Sequence, residues 1–427
     1  MAMIGFLIMV VFLVIGVPLF IVMGGGSSIV AIFSQGSPET LAPQIWFESL
    51  NSFILLAVPL FLLAGNMMTT GRMSRYLVEF VDSLIGHLPG GLGSVAVITA
   101  MLFAALSGSA PATSIATAAV LTKPMEEAGY PRKMILGMIC AAGTIGILIP
   151  PSIAMIIYST LVPNVGVPEL FAAGIFPGII CGFIMMTVTG IISWRRGYGV
   201  HPPAAWKQRW QTFARAWPIL LMPVIILGGI YGGIFTATEA AAVATAYALI
   251  INFVFYRQVD LRGTVRVFYL TVKQTGMLFM LLGSGMLLGK VFGLIGLPQA
   301  VVGYVGGFDV PPALLMFALI ILYLILGMFM ETTVMMLVTV PIIFPVLSVM
   351  GMDPVHFGVV MVVAVGAGLA TPPIGLGLYV LAGAMDERLE NIVSGIWPFF
   401  LVLVLSMIIF AYIPQISLYL PRLWLGG

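Results

Sequence analysis

Charged side chains are almost missing from this 427-residue sequence: Asp, Glu, Lys and Arg together make up 7%, against roughly 25% in a soluble domain. So few charges cannot dress a water-facing surface. Histidine occurs three times (His87, His201, His356) and cysteine twice (Cys140, Cys181). No HExxH pair, nucleophile elbow or P-loop is present, so the sequence offers little footing for an enzyme. Both cysteines fall in apolar stretches and read as packed thiols rather than a disulfide or metal pair. The net charge of +2 comes from bases scattered over short loops, which argues against a nucleic-acid partner. The first residues lack the basic n-region of a cleavable signal and read as a retained span.

What fills the chain instead is apolar: 61% of residues are hydrophobic, and runs of about 20 apolar residues, the length a bilayer core requires, recur along it. The expected fold is an all-α polytopic membrane protein. Hydropathy places spans at 4–23, 50–69, 133–160, 170–193, 217–235, 237–255, 267–290, 356–381 and 396–420. Two further apolar regions, 92–125 and 313–350, are broken in the middle by LSGSAPATS and GMFMETT.

Those two breaks belong to a passage that occurs twice, about 222 residues apart. The first copy, Leu106 to Ser152, contains LSGSAPATS and GTIGILIPPS; the second, Gly327 to Ile374, contains GMFMETT and GAGLATPPI. Pro124 falls opposite Pro345, Gly129 opposite Gly351, Gly146 opposite Gly368, and Pro150-Pro151 opposite Pro372-Pro373. The register runs on through Pro89 and Pro311, Glu169 and Glu390, Gly174 and Gly395, Pro177 and Pro398. Interrupted apolar segments at matching places in two halves point to a secondary-transporter binding site.

Lys and Arg in short loops mark the cytoplasm. Arg195, Arg196, Lys207, Arg209 and Arg215 in loop 194–215, and Arg257, Arg262 and Arg266 in loop 256–266, are two spans apart and share one side. Lys123, Arg132 and Lys133 join them. Arg72 and Arg75 do so if 92–125 begins and ends on the same side, as a re-entrant hairpin or as two full spans. The hairpin is preferred because the polar turn is too short to reach solvent. Region 313–350 then opens outward, flanked by Asp309 and Asp353, and Arg388 returns inside. The two repeats are thus expected in inverted topology, with a cytoplasmic N-terminus and a periplasmic C-terminus. Four parts follow: an N-terminal span and outer loop (1–48), repeat one (49–193), a basic loop with two connecting spans (194–262), and repeat two (263–427).

Broken backbone at membrane depth is tolerated only inside protein or along a cavity, so both tips and both Pro-Pro breaks are expected to converge. Pro-Pro removes two amide donors, and Gly143, Gly146, Gly366 and Gly368 let the freed carbonyls turn aside. Carbonyls with Ser and Thr hydroxyls are hard ligands suited to sodium. The helix N-termini at the tips favour an anion. Among ionisable groups in apolar stretches, Glu331 either lines the cavity or caps the following half-helix, Glu239 reads as a cap, and Lys290 either snorkels or attracts an anion.

The repeated tips, the GTIGILIPPS and GAGLATPPIG breaks, and AVPLFLLAG from Ala57 to Gly65 resemble the large, DctM-type membrane subunit of tripartite ATP-independent periplasmic (TRAP) transporters, over nearly the whole chain. The resemblance implies an ion-transporter-superfamily fold with a scaffold and an elevator-like transport domain, driven by sodium. It implies partners: a small four-helix membrane subunit, here a separate chain since no such unit is fused at either end, and a periplasmic binding protein that delivers an organic anion, in the bacterial inner membrane. Carried over by position, Ser107, Ser109, Gly143, Gly146 and Pro150 match a first sodium site, and Gly327, Thr332, Thr333, Gly366, Gly368 and Thr371 a second. Ser109, Ser152 and Glu331 are the substrate candidates. The whole chain leans toward sialic-acid members, with C4-dicarboxylates as the other class. A stand-alone sodium–dicarboxylate or citrate symporter of the same superfamily is the alternative; a channel or a membrane enzyme fits less well.

Overall fold

The structure, a computed structural model, describes residues 2–35, 40–69, 73–88, 90–198, 202–257, 261–307 and 311–426. Arg72, Pro89, His201 and Asp309 lie outside the described residues. Helices α1 (Ala2–Val14) and α2 (Leu19–Gln35) replace the single span expected at 4–23. Gly16, left-handed at φ +83°, and then Pro18 separate them, a glycine-then-proline helix stop. After α3 (Leu41–Leu50) and a 3-10 turn at Phe53–Leu56 comes α4 (Ala57–Met68), bent by 62° from α3.

Helix α5 (Met73–Ile85) leads into repeat one: α6 (Gly91–Ser107), α7 (Ala110–Glu127), α8 (Arg132–Ile145) with a 3-10 turn at Gly146–Leu148, α9 (Ile153–Leu161) and α10 (Val167–Arg196). The connection is α11 (Trp206–Tyr231), α12 (Ala237–Ile250) with a π-turn at Ile251–Tyr256, α13 (Leu261–Leu294) and α14 (Leu297–Gly307). Repeat two is α15 (Pro312–Phe329), α16 (Thr332–Val349), α17 (Pro354–Leu369), α18 (Leu376–Ala384) and α19 (Leu389–Tyr412), and α20 (Pro414–Leu425) follows. Among the described residues, seven helices are long and apolar enough to cross a membrane, nine if each bent pair is one span.

Three expectations shift. Helix α11 begins inside the stretch read as loop 194–215, and α14 was not anticipated. The span expected at 396–420 breaks at Ile413 (φ −123°, ψ 78°), because a residue before proline is pushed out of the helical region.

Both repeats run helix, tip, helix, broken helix, long helix. The hairpin arms are 17 and 18 residues in the first and 18 and 18 in the second, and the half-helices after the breaks, α9 and α18, have 9 residues each. Pro150-Pro151 and Pro372-Pro373 are both cis. Helix α8 is buried without a gap from Met134 to Ile145, as is α17 from His356 to Leu369. Apolar on every face, they form the centre of the molecule, while α15 turns Leu314, Phe317, Ile325 and Phe329 outward.

The repeats interlock reciprocally. Helix α8 packs on α19 and α17 on α10; α9 packs on α16 and α18 on α7. Glycines allow the crossings: a Cβ on Gly137 would lie 2.6 Å from the Gly395 backbone. At the centre Gly366 stands against its own counterpart, since a Cβ there would lie 3.2 Å from the Thr144 carbonyl. Contact between equivalent positions is what a two-fold relation produces.

Helices α4 and α12 pack against each other along their length. Thr238, Thr245 and Asn252, seven residues apart, donate to the carbonyls of Phe53, Leu60 and Met67, also seven apart, at 3.1, 2.8 and 3.3 Å. Between them Ala240, Ala241, Ala244 and Ala248 are fully buried. Small residues with polar cross-links are how helices associate where lipid offers no hydrophobic drive. Cys140 and Cys181 are buried free thiols.

Candidate functional site: a cavity between the two hairpin tips

The tips meet. A cavity of about 170 Å³ is lined by Gly108, Ser109, Ala110 and Pro111 of the first tip and by Glu331, Thr332 and Thr333 of the second. Ile147, Ile153 and Ala154 of the first broken helix, Leu62 of α4, and Gln274 and Leu278 of α13 complete it. The N-termini of α7, α9 and α16 therefore border one space and bring the positive ends of their dipoles to it.

The first tip is built of hydroxyls on a tight turn. Ser107 ends α6, and Gly108 turns the chain in the left-handed region at φ +63°. A Cβ on Gly108 would lie 2.8 Å from the Pro151 carbonyl, so tip and Pro-Pro break are pressed together. Ser107 Oγ pairs with Thr113 Oγ1 at 3.0 Å and receives the Ser109 amide at 3.4 Å. Gly143 faces Ser114, where a Cβ would meet Oγ at 2.0 Å, and Gly146 faces Ala104, whose Cβ it would meet at 2.2 Å. Ser107, Ser109, Gly143, Gly146 and the Pro150-Pro151 break are thus brought into one cluster. Helix α4 seals it, with Gly65 against the Leu106 carbonyl.

The second tip carries a charge. Glu331 precedes α16 and accepts from the Thr333 amide at 2.8 Å, so it caps the helix and lines the cavity at once. It also opens to an adjoining apolar groove with Thr333, Lys273 and Gln274. Thr332 and Thr333 are buried behind it. Gly327 and Gly368 touch backbone to backbone, each Cβ lying 2.7 Å from the other's Cα. Gly366 packs on repeat one instead, and the Thr371 hydroxyl bonds back to the Ala367 carbonyl at 2.8 Å. The second set is therefore split: Thr332 and Thr333 lie on the cavity, whereas Gly327 pairs with Gly368.

Two expectations about the breaks are refined. The Gly146 and Gly368 carbonyls are not free, for they accept the equivalent amides of Ile149 at 3.2 Å and Thr371 at 3.0 Å; each keeps one lone pair. Ser152 is fully buried, accepts the Met155 amide at 3.4 Å, and does not line the cavity; its neighbours Ile153 and Ala154 do. Glu239 is the expected cap: it accepts the Thr236 amide at 2.8 Å and gives its own to Thr236 Oγ1. Lys290 is exposed at the surface.

Sequence reading missed the far wall. Asn66 of α4 donates to Thr271 and Gln274 of α13, at 2.9 and 2.8 Å. That bond holds Gln274 at the cavity beside Lys273. The signal was present: Lys273 and Gln274 are polar residues within an otherwise apolar span.

The YdaH transporter of Alcanivorax borkumensis shares the fold, with a TM-score of 0.60 at 14% identity over 89% of this chain and 87% of that one. Residues 6–416 match the family described as the tripartite ATP-independent periplasmic transporter, DctM component. The C4-dicarboxylate TRAP transporter large permease protein DctM of Pseudomonas aeruginosa is 40% identical over 94% of this chain and 93% of its own length. The sialic acid TRAP transporter large permease protein SiaM of Vibrio cholerae is 34% identical over 92% of each. The chain belongs to the DctM family of TRAP transporter large permeases.

Proposed function

We propose that this chain imports an organic anion across the bacterial inner membrane by sodium symport, as the transport subunit of a three-component system. The observation that carries the reading is the convergence of both hairpin tips, with three helix N-termini, on one cavity. Glu331 already occupies the amide end of α16, and Ser152 accepts at that of α9, which leaves the end of α7, with no side-chain cap, for the anion. The carboxylate of Glu331 then faces the cation side. Gln274, with its carbonyl taken by Asn66, keeps two N–H donors for a substrate oxygen.

The first sodium lies among Ser107, Ser109 and the carbonyls near Gly143, Gly146 and Pro150. The second lies near Thr332 and Thr333, with Gly327, Gly366, Gly368 and Thr371 shaping the backbone behind them. Sodium ordering the tips and substrate binding between them stabilise each other by linkage. The interlocked hairpins and broken helices move as the elevator body against the scaffold that includes α4 and α12. The N-terminus is cytoplasmic and the C-terminus periplasmic. A separate small four-helix membrane subunit and a periplasmic binding protein complete the system. The substrate is a carboxylate of the sialic acid or C4-dicarboxylate class, and relatives of both kinds support that range.

The test is uptake of labelled sialic acid and of succinate into proteoliposomes under an inward sodium gradient. Uptake is expected only with the small subunit and binding protein present. Sodium-driven uptake by this chain alone would make it a self-sufficient symporter, and uptake indifferent to sodium would end the coupling proposal.

A further inference from the structure

Away from the tips, a cavity of about 380 Å³ opens where α8 begins, α10 ends and α19 passes. Lys133, Arg195, Arg196 and Tyr198 line it together with Ser394, and its walls are Met134, Ile192, Pro398 and Phe399. The three cations are exposed, while Met134 and Phe399 are buried. The nearby acids Glu126 and Glu387 both pair with Arg132, at 2.9 and 2.6 Å, and the trio brings one net negative charge against the three cations. Glu390, one turn before Ser394, is the remaining acid on α19, so the rim stays net positive. Gly395 lets α8 come so close that a Cβ there would fall 1.9 Å from the Lys133 carbonyl, which fixes the floor. Trp194 and Trp397 are exposed beside it, 74% and 50%, and tryptophan at such exposure marks the headgroup level of a bilayer.

A positive rim over an apolar floor at the membrane surface is complementary to one kind of molecule, an amphiphile with an anionic head. The geometry points to a specific binding site for an anionic phospholipid, whose phosphate is held by Lys133, Arg195 and Arg196 and whose first acyl carbons lie on Ile192, Met134 and Phe399. A zwitterionic lipid would bring its own cation onto the rim and be disfavoured. The lipid would bridge the ends of α8 and α10 from repeat one to α19 from repeat two.

The test is native mass spectrometry of the chain, alone and with its small subunit, released from vesicles of mixed phosphatidylglycerol and phosphatidylethanolamine. The expected result is retained phosphatidylglycerol. The triple variant Lys133→Gln, Arg195→Gln, Arg196→Gln should weaken that retention on the order of a hundredfold, given the attraction each basic group exerts at an anionic surface. The control Lys123→Gln, Lys207→Gln, Arg388→Gln removes the same charge from exposed positions outside the groove and should leave retention unchanged. Equal loss in both triples would reduce the effect to bulk charge and overturn the site. So would retention of phosphatidylethanolamine to the same degree, displacement of the lipid by millimolar inorganic phosphate, or loss of the adduct whenever the small subunit is bound.

Discussion

The two hairpin tips share a backbone plan and differ in chemistry. The first turns on a left-handed glycine and offers only hydroxyls, Ser107 and Ser109; the second is extended at Glu331 and places a carboxylate on the cavity. The first is pressed onto its Pro-Pro break, whereas the second faces across to the first. The two tips thus share a frame, and the residues set into it make one side hydroxylic and the other carboxylic. The proposed symport of an anion with a cation calls for such a difference; two identical tips would offer both ligands the same surface.

The largest effect expected from breaking this difference is at Glu331. Hydrogen bonds to charged groups are worth about 1.5–3 kcal/mol, so Glu331→Gln should cut sodium-driven uptake about 10- to 100-fold. Ser109→Ala should cost no more than about fivefold, a neutral bond being worth about 1 kcal/mol. Equal losses in the same proteoliposome assay would make the tips chemically equivalent.

A second contrast lies behind the tips, where Ala104 faces Gly146 in one repeat and Gly327 faces Gly368 in the other. Overpacking costs about 1–3 kcal/mol, and either Gly146→Ala or Gly368→Ala should lower the melting temperature in detergent. Adding Ala104→Gly to Gly146→Ala should restore it, because the next atom from that Cβ, Ala104 Cα, is 3.4 Å away. No partner change can rescue Gly368→Ala, whose obstacles are the backbone of Gly327 and Tyr323.

Thr332→Ala with Thr333→Ala should raise the sodium concentration for half-maximal uptake about 25-fold, as expected for two neutral bonds of about 1 kcal/mol each. Wild-type sodium dependence in that variant would move the second site elsewhere. The smallest effect belongs to Arg132, which ties Glu126 of α7 to Glu387 before α19. Partly exposed pairs of this kind contribute about 0–1 kcal/mol. Hydrogen bonds from Asn391 and Arg132 hold the Glu387 carboxyl below its ordinary value. A lowered value means the contribution is present above the usual carboxylate range, about 4, and is lost as pH falls through the depressed one. The melting difference between wild type and Arg132→Gln should therefore be full at neutral pH and vanish in acid; a difference independent of pH would show that Arg132 acts by packing alone.

The hairpins and breaks were legible because a repeat exposes itself: Gly, Pro and hydroxyls recurring in register leave few alternatives. Glu239 was legible from the Thr-x-x-Glu spacing. The break between α1 and α2 was misjudged because hydropathy does not sense Gly16 and Pro18, and that within 396–420 because it does not sense Pro414. Asn66, Lys273 and Gln274 were overlooked for another reason. Lys273 and Gln274 stand out as polar residues in an apolar span, but that α13 brings Gln274 to the cavity and Asn66 of α4 to Gln274 is a tertiary fact that no local pattern encodes. The Ser152 expectation failed on direction: the right turn of α9 reaches the cavity, but that hydroxyl faces its own backbone.

The contact between Gly366 and Thr144 bears on how such a chain diversifies. In a symmetric dimer, a residue on the axis meets its own copy, so any mutation there arrives twice and must tolerate itself. In one polypeptide that restriction is lifted: the two positions can carry different residues, here threonine on α8 and glycine on α17. The mixed Thr144–Gly366 pair shows that freedom at the centre of the molecule, as Ser109 and Glu331 show it at the tips.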